Sequence, residues 1–364
     1  MLFGAVLLGA LITLPGVSAP TEWEVLPPLE PAEAHSPAGR PDRTGFAPTR
    51  LVFDGFGVLY ALDADSDRIH RLDPDGTWVD FGVGDQGGTR FPSLRALQVR
   101  GPDLFVLDSG ETVLYRMSLD GRLRARIPLV GPDLGSLDVV DFLVDKSGGL
   151  WVLDRAGSRL LQFGRNGEFL VDLAAGVAGA ERLVAPTRLA LGPDGGVYVL
   201  EPGARRVRRF SRQGELLGSI GYADAPAGAP VADLVVTQDA LLLIDSKGRW
   251  IRRSHPDGAA PSMQAVDVGV VAGAALSPEG ILYLAGAEAG RIERLRAVMP
   301  RPEPPRSEEP RPDTPELGDP HPEEPRPDEP GLDDPHPKEP RPDTPESEAP
   351  RPEGDRNDAP REGD

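Results

Sequence analysis

Cysteine is absent from these 364 residues, which excludes disulfides, thiolate metal sites and a lipid-modified cysteine anchor. Histidine is scarce, with five in all: His35, His70, His255, His321 and His336. Lysine occurs only at Lys146, Lys247 and Lys338 beside 36 arginines, a bias that reads as a GC-rich bacterial genome and carries no mechanism. Long apolar runs are missing after the first 14 residues, so no later segment is expected to cross a bilayer. The one apolar stretch, Leu2 to Leu14, has the length of a secretory h-region and is short for a membrane span. Pro15 and Gly16 break it, and Val17-Ser18-Ala19 offers small residues for a cut after Ala19. Residues 1–19 therefore read as a signal peptide, although no Lys or Arg precedes the core. The alternative is an uncleaved N-terminal anchor. Either way the chain is expected to be exported: periplasmic, associated with the cell envelope, or secreted.

The net charge of −19 is unevenly spread. From Pro300 to Asp364 there are 21 acidic and nine basic residues, so that stretch holds −12 and leaves −7 for everything before it. Twenty of the 41 prolines fall in the same 65 residues. Its 15-residue unit opens Glu-Pro-Arg-Pro-Asp at Glu309, Glu324 and Glu339. Such a composition has almost nothing to bury, so residues 299–364 are expected to be a disordered, acidic, proline-rich tail. Extended polyproline II at about 3.1 Å per residue suits a spacer. A docking ligand for a proline-recognising partner is the other reading, and no aromatic anchor accompanies the prolines.

Between these ends the chain repeats itself about every 45 residues. Each unit carries an apolar run closed by an acid: Leu59 to Asp63, Leu104 to Asp108, Leu150 to Asp154, Val197 to Glu201, and Leu241 to Asp245. A degenerate sixth copy runs from Leu282 to Gly286. A second alternating strand begins five residues later, at Arg68, Val113, Arg159, Arg206, Trp250 and Arg291. Tight turns ending in glycine follow, as in Asp73-Pro74-Asp75-Gly76 and Arg165-Asn166-Gly167. No helical periodicity appears. Four short strands per unit bury only part of their faces, so the copies must stack around an axis. The spacing predicts an all-β fold: a six-bladed β-propeller of four-stranded antiparallel blades over residues 48–298.

The strand ending in Asp, the loop, the Arg-Ile or Arg-Leu pair and the Asp-Gly turn resemble the NHL repeat, in six copies from about Pro48 to Val298. The second, fifth and sixth copies depart from it by replacing the Arg or the acid. The resemblance implies the propeller and leaves function open, since the family holds binding modules, enzymes and proteins of neither kind. The sixth copy stops after Arg291 to Leu295, without an outer strand. Within the N-terminal segment 20–47, Trp23-Glu24-Val25-Leu26 is the spare strand-like piece, and it is predicted to pair onto blade six and close the ring.

Thirteen residues before each acid lie Arg50, Arg95, Asp141 and Arg188, with Asp233 one residue off in the fifth copy. The first and fourth copies share Ala-Pro-Thr-Arg-Leu, at Ala47 to Leu51 and Ala185 to Leu189. Innermost strands line a propeller's central channel, so these charges should meet at its mouth. Buried charges need partners. Either the three arginines and two aspartates neutralise one another as a plug, or the funnel binds an anion or carbohydrate through guanidinium groups. Arg206, Arg208 and Arg209, with Arg252 and Arg253 on the next blade, form a candidate basic surface for an acidic polysaccharide or the acidic tail. Nucleic acid is not an expected partner of an exported chain.

Metal and enzyme readings find less support. Asp63, Asp65 and Asp67 begin like a calcium loop, but Arg68 and Pro74 stand where an EF-hand wants glycine and glutamate. Related propellers include metal-dependent lactonases and zinc lyases, whose His and carboxylate ligands converge. Here His35 lies in the N-terminal segment 20–47, His321 and His336 in the tail, and His70 and His255 on the alternating strands that begin at Arg68 and Trp250, so no three can meet. No metal, cofactor or catalytic residue is assigned. The expected function is a monomeric, non-enzymatic binding scaffold for an unidentified protein or an anionic or carbohydrate ligand. A lactonase-like or lyase-like enzyme is the alternative, and a structural or assembly factor of the envelope is a third reading.

Overall fold

The computed structural model describes residues 22–29, 46–63, 66–81, 91, 93–173, 182–226, 228, 230–254, 260–286 and 290–298. The expected signal peptide 1–19, the tail 299–364, and Asp65, His35, His255, His321 and His336 lie outside them.

The first strand, β1 (Glu22–Leu29), precedes the repeats. Blade one holds β2 (Pro48–Phe53), β3 (Leu59–Asp63), β4 (Arg68–Leu72) and β5 (Trp78–Phe81). Blade two holds β6 (Leu94–Arg100), β7 (Asp103–Asp108), β8 (Val113–Ser118) and β9 (Leu123–Pro128). Blade three holds β10 (Val139–Val144), β11 (Leu150–Asp154), β12 (Arg159–Phe163) and β13 (Phe169–Asp172). Blade four holds β14 (Arg188–Leu191), β15 (Val197–Glu201), β16 (Arg206–Phe210) and β17 (Leu216–Gly221). Blade five holds β18 (Val231–Val236), β19 (Leu241–Asp245), β20 (Trp250–Ser254) and β21 (Ser262–Ala265). Blade six holds β22 (Val271–Leu276), β23 (Ile281–Gly286) and β24 (Ile292–Val298). All six sheets are four-stranded and antiparallel, and the sixth is completed by β1 in the order β1-β24-β23-β22. Chain order and spatial order therefore agree in five sheets and break in one. The first strands touch in sequence around the ring, and β22 closes it against β2.

The gradient of side-chain character across a blade follows from this stacking. Second strands are sandwiched between both neighbouring blades, so β3, β11, β15 and β19 are buried at every position and read as unbroken apolar runs. Outer strands face solvent, and β17 is exposed at nearly every residue. The core is divided into six apolar clusters, each shared by two adjacent blades. Burial of this kind is worth about 25 cal/mol per Å² of apolar surface, and no blade achieves it alone. Trp23 of β1 packs on the cluster between blades five and six. The pairing runs Trp23 opposite Ala297 through Leu26 opposite Arg294, while Arg294 Nε donates to the Pro27 carbonyl at 2.8 Å. At the turns, Gly76, Gly121, Gly167 and Gly214 hold φ between +85° and +92°, where a Cβ would be strained.

The acid that ends the second strand in blades one to five is buried, and it ties the blade together. Asp154 accepts from Asp138 N at 2.9 Å and pairs with Arg159 at 2.7 Å. Glu201 pairs with both Arg206 and Arg208 at 2.8 Å. Blade two breaks the pattern, because Val113 stands where four other blades place arginine. Asp108 is fully buried; its Oδ1 accepts from Gly110 N at 3.0 Å, and its Oδ2 has no hydrogen-bond partner. Burial pushes the Asp108 carboxyl above its ordinary range, against the pull of nearby N–H groups. A raised native value means that its stabilising contribution is present at acid pH and is lost as pH rises through that value. Asp108→Asn keeps an accepting oxygen and removes the charge. It should stabilise the protein by about 1 kcal/mol at pH 7 and by much less at pH 4, in urea melts run at both. An equal gain at both values, or a loss at pH 7, would contradict this account.

Candidate functional site

The register of the first two strands defines which residues occupy one level of the channel wall. Arg50 lies opposite Leu62, Asp141 opposite Leu153, Arg188 opposite Leu200 and Asp233 opposite Ile244. Blade two places Ala96 there, opposite Leu107, and blade six places Gly273, opposite Ala285. Counting thirteen back from the acid thus assigns Arg95 one residue too early, and Asp233 is in register after all. The cause is hairpin length. Five residues separate the paired positions Phe53 and Leu59, Val144 and Leu150, Leu191 and Val197, and Leu276 and Leu282, whereas four separate Val99 from Leu104 and Val236 from Leu241. Arg95 instead sits at the bulge between Leu94 and Ala96 and is exposed. Burial of its stem, then the charges of Arg155 and Arg50, hold its guanidinium below the ordinary range.

The four remaining charges are drawn together where the first strands begin. Both aspartates act as staples between neighbouring blades. Asp141 Oδ1 accepts from Phe142 N at 3.0 Å and its Oδ2 from Leu189 N of blade four at 2.9 Å. Asp233 repeats the device one pair of blades further on, accepting from Leu234 N and from Ala274 N of blade six, both at 2.9 Å. Arg50 reaches Asp141 at 3.5 Å, and Arg188 lies 3.9 Å from Asp233. Those are ion-pair distances longer than charge-assisted hydrogen bonds. Arg188 also donates to the carbonyls of Thr187 at 3.1 Å and Ala272 at 3.2 Å.

The electrostatics are strained in one direction. Arg50 is 8% exposed, and its Nη1 has no hydrogen-bond partner; the same holds for Arg188 Nε. Burial and the facing Arg50 charge push Arg188 down to about 10, with Asp233 and Asp141 pulling the other way. Burial pushes Asp233 up, with Arg188 and Arg50 opposing. Each carboxylate oxygen of Asp141 and Asp233 thus accepts one backbone N–H, while Arg50 Nη1 and Arg188 Nε have no hydrogen-bond partner. That combination favours an incoming oxyanion. Among the described residues no three His, Asp or Glu side chains form a group able to hold a metal ion.

The candidate basic surface, of which strand alternation is expected to place only some arginines on one side, is not assembled by Arg206, Arg208, Arg209, Arg252 and Arg253. Strand alternation turns Arg208 inward onto Glu201, 3% exposed, and its Nη2 donates to the Arg182 carbonyl at 2.6 Å. Arg206 shares the same carboxylate. Arg209 points to the opposite end, pairing with Asp194 at 2.6 Å and lying over the Tyr198 ring. Arg252 is buried against Asp224 at 3.0 Å, and Arg253 is partly buried with its guanidinium pushed down by desolvation. One neighbour of Arg95 escaped the sequence analysis: Arg155, paired with Asp138 at 2.9 Å. Only the recurrence of charge just after a second strand could have flagged it.

No family model matches the chain, and no curated protein matches it in sequence. Solved structures do. A streptogramin B lyase superposes with a TM-score of 0.54 at 14% identity, over 76% of this chain and 98% of its own. The extracellular domain of a two-component system from B. thetaiotaomicron gives 0.52 at 12% identity, over 77% and 44%. A luciferin-regenerating enzyme gives 0.50 at 15%, over 70% and 93%. At such identities these likenesses establish the fold: the chain is a six-bladed β-propeller of four-stranded blades.

Proposed function

We propose that the protein is an exported, non-enzymatic propeller scaffold that holds an oxyanion, such as a sugar acid or an acidic group of a partner, at its axis. The tail serves it as a spacer. The observation that carries this reading is the buried, unpartnered guanidinium N–H of Arg50 facing Arg188 across the channel. A carboxylate or phosphate bound there would receive bidentate hydrogen bonds and relieve the repulsion between the two cations. The non-enzymatic reading is supported by the axial aspartates, whose oxygens are engaged by backbone N–H groups of two blades each. Similarity to the extracellular domain of a two-component system supports export, and the repeat motif supports kinship with NHL propellers.

Native mass spectrometry and elemental analysis of the full-length protein test this. An anionic molecule should be retained at one per chain, and Arg50→Gln with Arg188→Gln should weaken retention on the order of 100-fold, two charged hydrogen-bonding groups being lost. The matching Arg→Lys pair keeps the charge balance with the aspartates, so it should fold and show an intermediate loss. A stoichiometric divalent metal would instead favour the enzyme reading suggested by the lyase likeness.

A further inference from the structure

The opposite face of the ring, onto which the hairpins between first and second strands open, carries clefts between adjacent blades. Two of them are built from equivalent positions. In the cleft between blades four and five, about 550 Å³, Tyr198 underlies Arg209, which Asp194 neutralises; Ile220, Val236 and Leu241 make the rest largely apolar. In the cleft between blades two and three, about 570 Å³, Phe105 and Arg116 take the places of Tyr198 and Arg209. Its charges do not balance.

Arg100, Arg116, Lys146 and Arg165 line this second cleft against Asp103 and Asp145. Both carboxylates are already engaged. Asp103, buried, is shared by Arg116 at 2.6 Å and by Arg124 at 2.9 Å. Asp145 Oδ1 is held by Ser147 N at 2.7 Å and Gly149 N at 3.0 Å, closing its own hairpin. Arg165 has the Ser147 carbonyl at 3.3 Å, and neither Arg100 nor Lys146 makes an ion pair among the described residues. Two blades thus converge unneutralised cations into one concavity of a chain whose net charge is −19. Like charges gathered this way repel one another, and a cleft with low-dielectric walls focuses their field on an incoming anion.

We infer that this cleft is a second anion-binding site, for a ligand carrying two or more carboxylate or phosphate groups. Phe105 is 7% exposed and covered by Arg116, so no open aromatic face is presented for stacking a neutral sugar. The N–H groups of Ser147, Gly148 and Gly149 are spent on Asp145, so recognition falls to the side-chain cations. Arg100 would grip one oxyanion in bidentate fashion and Lys146 a second as a point charge.

Isothermal titration of the full-length protein at low salt, with citrate, pyrophosphate and acetate as probes, tests the assignment. Citrate, pyrophosphate or both should bind, whichever is tighter identifying the preferred oxyanion, and singly charged acetate should bind far more weakly. Arg100→Gln with Lys146→Gln should weaken that binding by about tenfold or more at an unchanged melting temperature, since neither side chain carries an internal ion pair. Arg50→Lys with Arg188→Lys, at the other end of the channel, should leave this event in place. Unaltered isotherms for Arg100→Gln with Lys146→Gln, or no multivalent binding by the parent protein, would overturn the inference.

Discussion

Gly273→Val is expected to prevent proper closure of the ring and to cost about 3 kcal/mol or more. The reason lies at the seam between blades six and one. A Cβ on Gly273 would stand 2.6 Å from the Thr49 carbonyl oxygen and 3.4 Å from the Arg50 Cα. Both are backbone atoms of the facing strand, so no rotamer change can relieve the clash. β22 and β2 would have to part, and the apolar cluster between these blades would open with them. Because the shifted backbone carries Arg50, axial anion binding should fail together with stability. Gly55→Ala is the control, since a Cβ there meets nothing within 4 Å; it should stay within about 0.5 kcal/mol. Urea melts of the two variants decide the matter, and equal stability would show that the seam tolerates a side chain.

The second large effect is expected at Glu201. Its carboxylate is fully buried and holds Arg206, Arg208 and the Val184 N–H, the last at 2.5 Å. Glu201→Leu leaves Arg208, 3% exposed, without its carboxylate. Removing one partner of a buried ion pair costs about 3–5 kcal/mol. For a domain of this size that corresponds to a melting temperature lower by roughly 10 °C. Glu201→Asp, whose shorter stem keeps the charge, should lose about half as much. A Glu201→Leu variant melting with the parent would mean that the buried ion cluster adds no net stability.

How far the fold can be read in the residues depends on what the blade does to each strand. The runs Leu59 to Asp63 and Leu150 to Asp154 are apolar throughout because both faces are buried, and that makes them visible without any structure. The strand around Trp23 to Leu26 could be placed because blade six lacks an outer strand, and β1 stands beside β24. The candidate site was harder. Arg50, Asp141 and Arg188 could be found by counting, yet the count lands one residue early in blades two and five, on Arg95 and just before Asp233, because a hairpin one residue shorter moves the register without changing the strand pattern. Alternation defeats composition in β16, where Arg206 and Arg208 go inward to Glu201 while Arg209 reaches Asp194. The cleft between blades two and three was invisible in the sequence. Its cations come from β6, β8 and two hairpins of the next repeat, and nothing in one repeat announces them.

The claim that Arg50 and Arg188 form an anion site on the axis is tested most directly by NMR of the arginine side-chain N–H signals in the full-length protein. On titration with glucuronate or inorganic phosphate, signals assigned by Arg50→Lys and Arg188→Lys should shift together and saturate, while that of the internally paired Arg208 stays still. Axial signals that do not move with either anion at any attainable concentration would contradict the account.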